Sequence, residues 1–499
     1  MEKDRVFANA TTSIVQVSVN MVVLFFLYRF LLGTIGVAKV GIWSVVLATA
    51  SFGSMGHLGF SGSVVKFVAK YVALQQDEAV SRIIQTATLS IAVFMGVFLV
   101  VVYPFAVWIL SLIMPKGAFV EARSLLPYAL LTLWLNVVGM VVHAGLEGHQ
   151  WIKEKNVLLM ASALFLLFLS FLLVPSHGLT GLAHAYVAQG GLLVLGGWFW
   201  LRSRFPLLPW FPHRWDYGSF REMLAYGASI QVISISQLVL EPVTKALLTK
   251  FGDLAMTGFY DMASRMIMNL RWLLVSAIHV LVPAVADLQE KKPEILRTLY
   301  KESYGILSFI AIPFFSLIVV FSPFISVIWI GYYEGVFVTF SGLLALGWLF
   351  NVLSTPAYVF NLGIGTLRWN VIGYGVTAIL NLTLGLLLGS LWGGREVVVG
   401  YLISLMTGSL IIFLSYHAEN RIPVGELFSK EDLAVVVAST LALLLFFLER
   451  SPLIFETDSL SVAGVTVLVF LALTIRPIWV HPLRKRLTGR IVYEVLKTG

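Results

Sequence analysis

Cysteine is absent from the 499 residues, which removes disulfides, thiolate metal sites and cysteine nucleophiles while leaving the compartment open. Charge is scarce as well. Asp, Glu, Lys and Arg make up 12% of the chain, about half the roughly 25% usual in soluble domains. There is no GxxxxGK[ST] phosphate loop, no HExxH, no GxSxG elbow and no EF-hand loop. The chain therefore has no P-loop with which to hydrolyse ATP and no hydrolase or metal signature. No cofactor and no metal ion is expected.

What is present is apolar sequence. Hydrophobic residues account for 59%, and runs of about 18 or more, each long enough to cross a bilayer, recur along the whole chain. The first, from about Ala8 to Leu32, is too long for a signal-peptide core and lacks a cleavage site, so it reads as a retained span. The runs predict fourteen transmembrane helices, starting near positions 8, 40, 83, 122, 156, 179, 223, 257, 300, 337, 370, 397, 431 and 459. With the N-terminus in the cytoplasm, inside segments hold about four Lys or Arg for each one outside, the bias expected of a correct topology. Both termini are then cytoplasmic, and the chain is a multi-pass protein of the cell's inner (cytoplasmic) membrane.

The net charge of +8 is explained by this positive-inside anchoring, not by a nucleic-acid surface. The basic run PLRKRLTGR after the last span reads as an anchor against anionic lipid. Trp108, Trp198, Trp200, Trp329, Trp369, Trp392 and Trp479 fall near predicted span ends, as an interfacial belt does. Outside segments are all short. The longest loop, Arg202 to Arg221, is cytoplasmic and carries four arginines, which argues against a glycan polymerase or ligase with a large outer catalytic loop. The protein is not expected to be an enzyme.

The chain is written twice. LLGTIGVAKVGIW, from Leu31, matches LLTKFGDLAMTGFY, from Leu247, with Gly36 over Gly252 and Trp43 over Tyr260. DEAVSR (Asp77 to Arg82) parallels PEILR (Pro293 to Arg297). Asn136, Gly148 and Asn156 fall on Asn351, Gly363 and Asn370. Spans one to six thus map onto seven to twelve, and thirteen and fourteen are unmatched. The fold class that follows is an all-α polytopic membrane protein. Two six-helix lobes, 1–210 and 211–416, are related by pseudo-two-fold symmetry along the membrane normal, and residues 417–499 add two helices and the basic tail. Such lobes enclose a cleft and permit alternating access by rocking.

Charges inside the spans are the candidate site. Glu241 and Lys245 are four apart on the seventh span, Asp261 and Arg265 four apart on the eighth, so each pair can bond along one helix face. At ~1.5 Å per residue, Arg265 lies as deep as Glu241 and Arg271 about 9 Å deeper. A charge at that depth costs at least about 2.5–3.5 kcal/mol. Arg271 has no acid three or four residues away and needs a partner from another helix or from substrate, or else snorkels to the inner interface. An arginine fork suits phosphate oxygens. Arg29, near the outer end of the first span, either snorkels or adds to the same positive chamber.

Polar uncharged residues crowd NATTSIVQVSVN in the first span and ASIQVISISQ in the seventh. Gln16, Asn20, Gln231 and Gln237 would bond sugar hydroxyls or bond across helices. Gly53, Gly56, Gly59 and Gly62 on the second span read either as a packing face or as a hinge. Asp261 and Glu241 serve either as structural ion-pair acids or as carriers of a coupling H+ or Na+.

VGIWSVVLATASFGSMGHLGFSGSVVKFVAKYVA (Val40 to Ala73) resembles the second span of Wzx-type polysaccharide flippases, in the multidrug/oligosaccharidyl-lipid/polysaccharide exporter superfamily. TGFYDMASRM followed by LVPAVADLQ is similar to that family's eighth span, and the pattern extends over about the first 430 residues. Relatives carry an acid where this chain has His57, so a shared proton-carrying role at that position is not expected. The resemblance implies a flippase that moves a polyprenyl-(pyro)phosphate-linked oligosaccharide from the cytoplasmic to the outer leaflet. Its partners would be that lipid-linked substrate and the bilayer, with the protein a monomer. Lipid II flippases and drug exporters of the superfamily are the alternatives. The surplus of cations in the spans opposes the drug exporters.

Overall fold

The computed structural model of the chain describes residues 2–57, 60–279, 281–427, 430–449 and 460–484; within these, the side chains of 2–11, 55–57, 225–238, 283, 447–449 and 460–462 lie outside the description. Every long element is an α-helix, and no strand occurs among the described residues. Lipid dictates this: without water to bond to, a spanning segment must satisfy its backbone N–H and C=O groups internally. In order the helices are α1 (Glu2–Thr34), α2 (Val37–Ser51), α3 (Phe60–Ala73), α4 (Asp77–Ile113), α5 (Lys116–Gly148), α6 (Ile152–Arg204), α7 (Tyr217–Phe251), α8 (Leu254–His279), α9 (Leu281–Lys291), α10 (Leu296–Ile330), α11 (Gly335–Ile364), α12 (Arg368–Trp392), α13 (Gly394–Glu419), α14 (Lys430–Glu449) and α15 (Leu460–Val480).

Eleven stretches among the described residues are long and apolar enough to cross a membrane. One of them is α6, where the sequence predicts two spans. Its 53 residues, if straight, would extend about 80 Å, against a hydrocarbon thickness of about 30 Å. It is not straight. Gly178 has φ 55° and ψ −133°, a region that only glycine occupies at low cost. A Cβ on Gly181 would lie 2.4 Å from the carbonyl oxygen of Leu173, whereas eight residues of continuous helix separate such groups by about 12 Å. The chain doubles back at Gly178, and α6 is a helical hairpin.

The chain packs as two compact units, Met1–Gly258 and Phe259–Gly499. In the first, α5 lies against α2, α3, α4 and α6, with α1 on α6 and α7 on α2, α3 and α4. The repeat puts α7 at the head of the second copy, but its packing puts it in the first unit. A buried hydrogen bond from Ser63 Oγ on α3 to the Met223 carbonyl, 2.8 Å, is one tie. Within this unit α2 also meets the first turn of α8. A Cβ on Gly41 would fall 1.8 Å from the Leu254 carbonyl oxygen, and one on Gly258 2.6 Å from that of Val37. The two contacts are reciprocal, because Val37 and Leu254, like Gly41 and Gly258, occupy equivalent positions of the repeat. Reciprocity of this kind is produced by a local two-fold relation between the two helix segments.

In the second unit α11 lies against α9, α10 and α13, α12 against α13, and α14 and α15 pair and rest on α10. α12 and α13 cross at near-backbone contact: a Cβ on Gly408 would meet the Gly373 carbonyl oxygen at 2.4 Å. Small residues at the crossing make that approach feasible. The repeat shows in local detail. Gly148 presses on Val68 and the Val65 carbonyl in the first unit, and Gly363 on Val285 and the Val282 carbonyl in the second. Gly178 at the tip of the α6 hairpin corresponds to Gly393 between α12 and α13, φ 102°.

Candidate functional site

Each pair of charges predicted from spacing forms. On α7, Lys245 Nζ lies 2.7 Å from Glu241 Oε1, with the lysine buried and the glutamate side chain 45% exposed. On α8, Arg265 Nε donates to Asp261 Oδ2 at 3.0 Å, with the aspartate buried and the arginine a third exposed. An i,i+4 pair costs little to arrange because the helix already fixes both Cβ positions. These pairs account for four of the charges in the spans.

Arg271 follows another rule. It is buried, so it does not snorkel. Its Nε and Nη2 both donate to Oδ1 of Asn351 on α11, at 3.0 and 2.7 Å. The guanidinium stacks over Trp348, 4.6 Å from the ring centroid, and lies 5.6 Å from that of Trp272. Tyr401 packs against Trp348, and Tyr358 lies edge-on to Tyr374, both of which are near the guanidinium. Asn351 in turn reaches Ser409 on α13. Among the described residues no carboxylate bonds Arg271. A guanidinium has five N–H donors, and the three not spent on Asn351 meet no acceptor among the described residues. The result is a cation held in place by a neutral amide and aromatic faces, with its charge uncompensated among the described residues.

The sequence missed Asn351 and Trp348 as partners of Arg271. Asn351 stood out only as a match to Asn136 in the repeat, and nothing in a one-dimensional pattern ties it to a residue eighty positions earlier. At the repeat offset that holds on either side, Arg271 falls on Ser54, and Asn136 is exposed. This device belongs to the second copy alone.

The remaining candidates scatter. Arg29 is exposed on α1 and occupies the repeat position of Lys245. Gln16 and Asn20 are half-buried, and Asn20 Oδ1 is shielded without a hydrogen-bond partner. The side chains of Gln231 and Gln237 lie outside the described residues. The glycines of the second span sit where α2 gives way to a 3-10 turn, Phe52–His57, before α3 resumes. Gly53 is buried there, and a Cβ would lie 2.4 Å from Leu99 Cδ2, so it is a packing contact. Gly56 lies in the turn, Gly62 is exposed on α3, and Gly59 is outside the described residues.

A family model described as polysaccharide biosynthesis protein matches residues 46–333, more than half of the chain. The chain belongs to the polysaccharide biosynthesis protein family. No curated protein compared with it matches significantly. In fold, this polysaccharide biosynthesis protein is similar to a solved structure of the lipid II flippase MurJ in an inward closed conformation, with 12% identity, TM-score 0.68, and coverage of 97% of this chain and 99% of that one. It is equally similar to an inward-facing multidrug resistance MATE family transporter of the MOP superfamily, with 15% identity, TM-score 0.68, and coverage of 81% and 97%. A MOP superfamily transporter from Pyrococcus furiosus, whose reverse binding-pocket polarity is taken to suggest a different function, matches at 16% identity and TM-score 0.57, covering 83% and 95%. The resemblance read from the sequence is thus borne out at the level of family and superfamily fold.

Proposed function

We propose that this polysaccharide biosynthesis protein is a flippase that carries a polyprenyl-(pyro)phosphate-linked oligosaccharide from the cytoplasmic to the outer leaflet by alternating access. The observation that carries the reading is Arg271. A buried guanidinium with no carboxylate partner among the described residues, at a cost of about 2.5–3.5 kcal/mol for its depth, is best explained by an anion that arrives during transport. A phosphate or diphosphate accepts from the unspent N–H groups in the planar geometry that arginine offers. Arg29 adds positive charge along the path, and Arg265 and Lys245, each paired with a carboxylate, offer the substrate their remaining N–H groups. Gln16, Asn20, Gln231 and Gln237 meet sugar hydroxyls, and the prenyl tail stays in lipid. Asp261 or Glu241 carries a coupling H+ or Na+. Residues 1–210 and 211–416 act as the two rocking copies, and both termini lie in the cytoplasm. Support comes from the family, from the transporter fold and from the absence of catalytic motifs in the sequence.

The test is the leaflet in which the intermediate collects. Removal of the protein should leave prenyl-linked glycan on the inner leaflet. A polymerase or ligase defect would leave it on the outer one, and that outcome would overturn the reading. In the same assay Arg271→Ala, inserted at native level, should export glycan poorly.

A further inference from the structure

The connection between α6 and α7, residues 205–216, carries no regular structure, yet its backbone is bonded almost residue by residue to buried or half-buried side chains. Ser81 Oγ donates to the Leu207 carbonyl, Arg202 Nη1 to that of Leu208, and Trp198 Nε1 to those of Pro209 and Trp210. Oε1 of the fully buried Gln85 accepts from the N–H groups of His213 and Arg214, both at 3.2 Å, and Thr86 Oγ1 accepts from that of Asp216. The segment covers the outer face of α4, so residues 83–88 are buried all round, whereas Val93, Val97 and Val100 one to three turns later are exposed. Trp215 reaches Ser90 through its Nε1, about 12 Å along the helix from Arg82. The clamp therefore sits where the lipid-facing stripe of α4 begins.

While the backbone is turned inward, the large side chains are turned out: Trp210, Phe211 and Trp215 are 61%, 77% and 52% exposed. Exposed aromatics on a fixed backbone at the rim of an apolar stripe fit the headgroup zone of a bilayer. Beside them lies a cavity of about 500 Å³ lined by Glu78, Ser81, Arg82, Gln85, Leu207, His213, Arg214, Trp215 and Asp216, well within the ~300–1,000 Å³ of pockets that hold small molecules. Its charges are of both signs, two guanidinium groups and two carboxylates. Bonds from Ser219, with help from Arg82, hold the Asp216 carboxyl below its ordinary range.

We propose that this cavity binds the headgroup of a zwitterionic, primary-amine phospholipid. The phosphate lies against Arg82 and Arg214 and the ammonium against Glu78 and Asp216, while Trp210, Phe211 and Trp215 sit among the glycerol and upper acyl groups. A purely anionic headgroup leaves the two carboxylates facing its charge. A quaternary amine cannot donate to them. The site is independent of the flippase reading and uses none of its residues.

The experiment is lipid retention by the full chain, purified in detergent and measured by native mass spectrometry. Phosphatidylethanolamine, phosphatidylcholine and phosphatidylglycerol of identical acyl chains are added singly and in pairs. Phosphatidylethanolamine should be retained about tenfold more tightly than either rival, the scale of a single charged hydrogen bond. The paired change Glu78→Gln with Arg82→Gln should abolish that preference, and Glu78→Asp with Arg82→Lys should restore part of it. Arg214→Gln alters an exposed side chain and leaves the backbone clamp intact, so it tests the same site should the double variant fail to fold. Equal retention of the three lipids, or retention of phosphatidylethanolamine untouched by Arg214→Gln, would overturn the proposal. Phosphatidylglycerol bound as tightly as phosphatidylethanolamine would make the cavity a simple anion site and also overturn it.

Discussion

The guanidinium of Arg271 donates twice to a single oxygen of Asn351, at 3.0 and 2.7 Å. The acceptor is an amide where a carboxylate would fit without change of shape, so the cation is positioned but not neutralised. Asn351→Asp should therefore be the informative substitution. It completes an ion pair, and melting in detergent should be at least as high as in the native protein while glycan export falls steeply. Asn351→Leu strips the acceptor from a buried charge and should cost about 1.5–3 kcal/mol of stability. Export at the native rate by Asn351→Asp would show that the uncompensated charge is not used.

The Asp261–Arg265 pair separates stability from transport in another way. Asp261→Ala leaves Arg265 without its charged acceptor and should cost about 1.5–3 kcal/mol. Arg265 is a third exposed and reaches other groups, so the lower end is expected. Asp261→Ala with Arg265→Ala should recover part of the loss, a coupling of about 0.5–3 kcal/mol in a double-mutant cycle of melting. Export should not recover, because Arg265 is assigned to the substrate. Native export by the double variant would confine the pair to a structural role.

Gly41 and Gly258 meet carbonyl oxygens at distances no real Cβ accepts. Valine at either position must push α2 from the start of α8, and overpacking of this kind costs about 1–3 kcal/mol or more where backbone is the obstacle. Gly41→Val and Gly258→Val should each lower the yield of folded, monodisperse protein to a similar degree, since the contacts are reciprocal. Gly425, with open space around it, is the control, and Gly425→Ala should leave the yield unchanged.

Outside the spans, Glu426 accepts from Lys301 and from Arg297, and these bonds hold its carboxyl below its ordinary value of 4.5. A depressed carboxyl contributes stability that is fully present above the unfolded value and is lost as pH falls through the folded one. The melting temperature of the native protein should exceed that of Glu426→Gln at pH 7, and the gap should close as the pH drops below 4.5. A gap that stays constant to pH 3 would remove the carboxylate from the account.

The legible part of the site was whatever a single helix decides. Glu241 with Lys245 and Asp261 with Arg265 were visible because four residues make just over one helical turn. That Arg271 has no local acid was visible for the same reason. Its partner was not, since Asn351 lies on another helix and only packing brings α8 and α11 together. The hairpin in α6 shows the same divide. Hydropathy announced two spans from 156 and 179, but the reversal rests on one backbone geometry, at Gly178, that no hydropathy pattern encodes. The backbone clamp on residues 205–216 lay wholly beyond reach, because no local spacing ties Gln85 and Thr86 to His213, Arg214 and Asp216.

By itself the sequence determined that this chain lives in lipid, that it is helical and that it repeats. Those properties follow from composition, from the need of buried backbone to bond within its own segment, and from a near-constant offset between like residues. Tertiary structure decided which charges are answered and by what. It gave Lys245 and Arg265 carboxylates, gave Arg271 an amide and aromatic rings with no carboxylate among the described residues, and placed α7 in the first unit although the repeat assigns it to the second copy. The physical reason is that compensation of a buried charge depends on distance in space, and chain separation fixes that distance only within a helical turn or two.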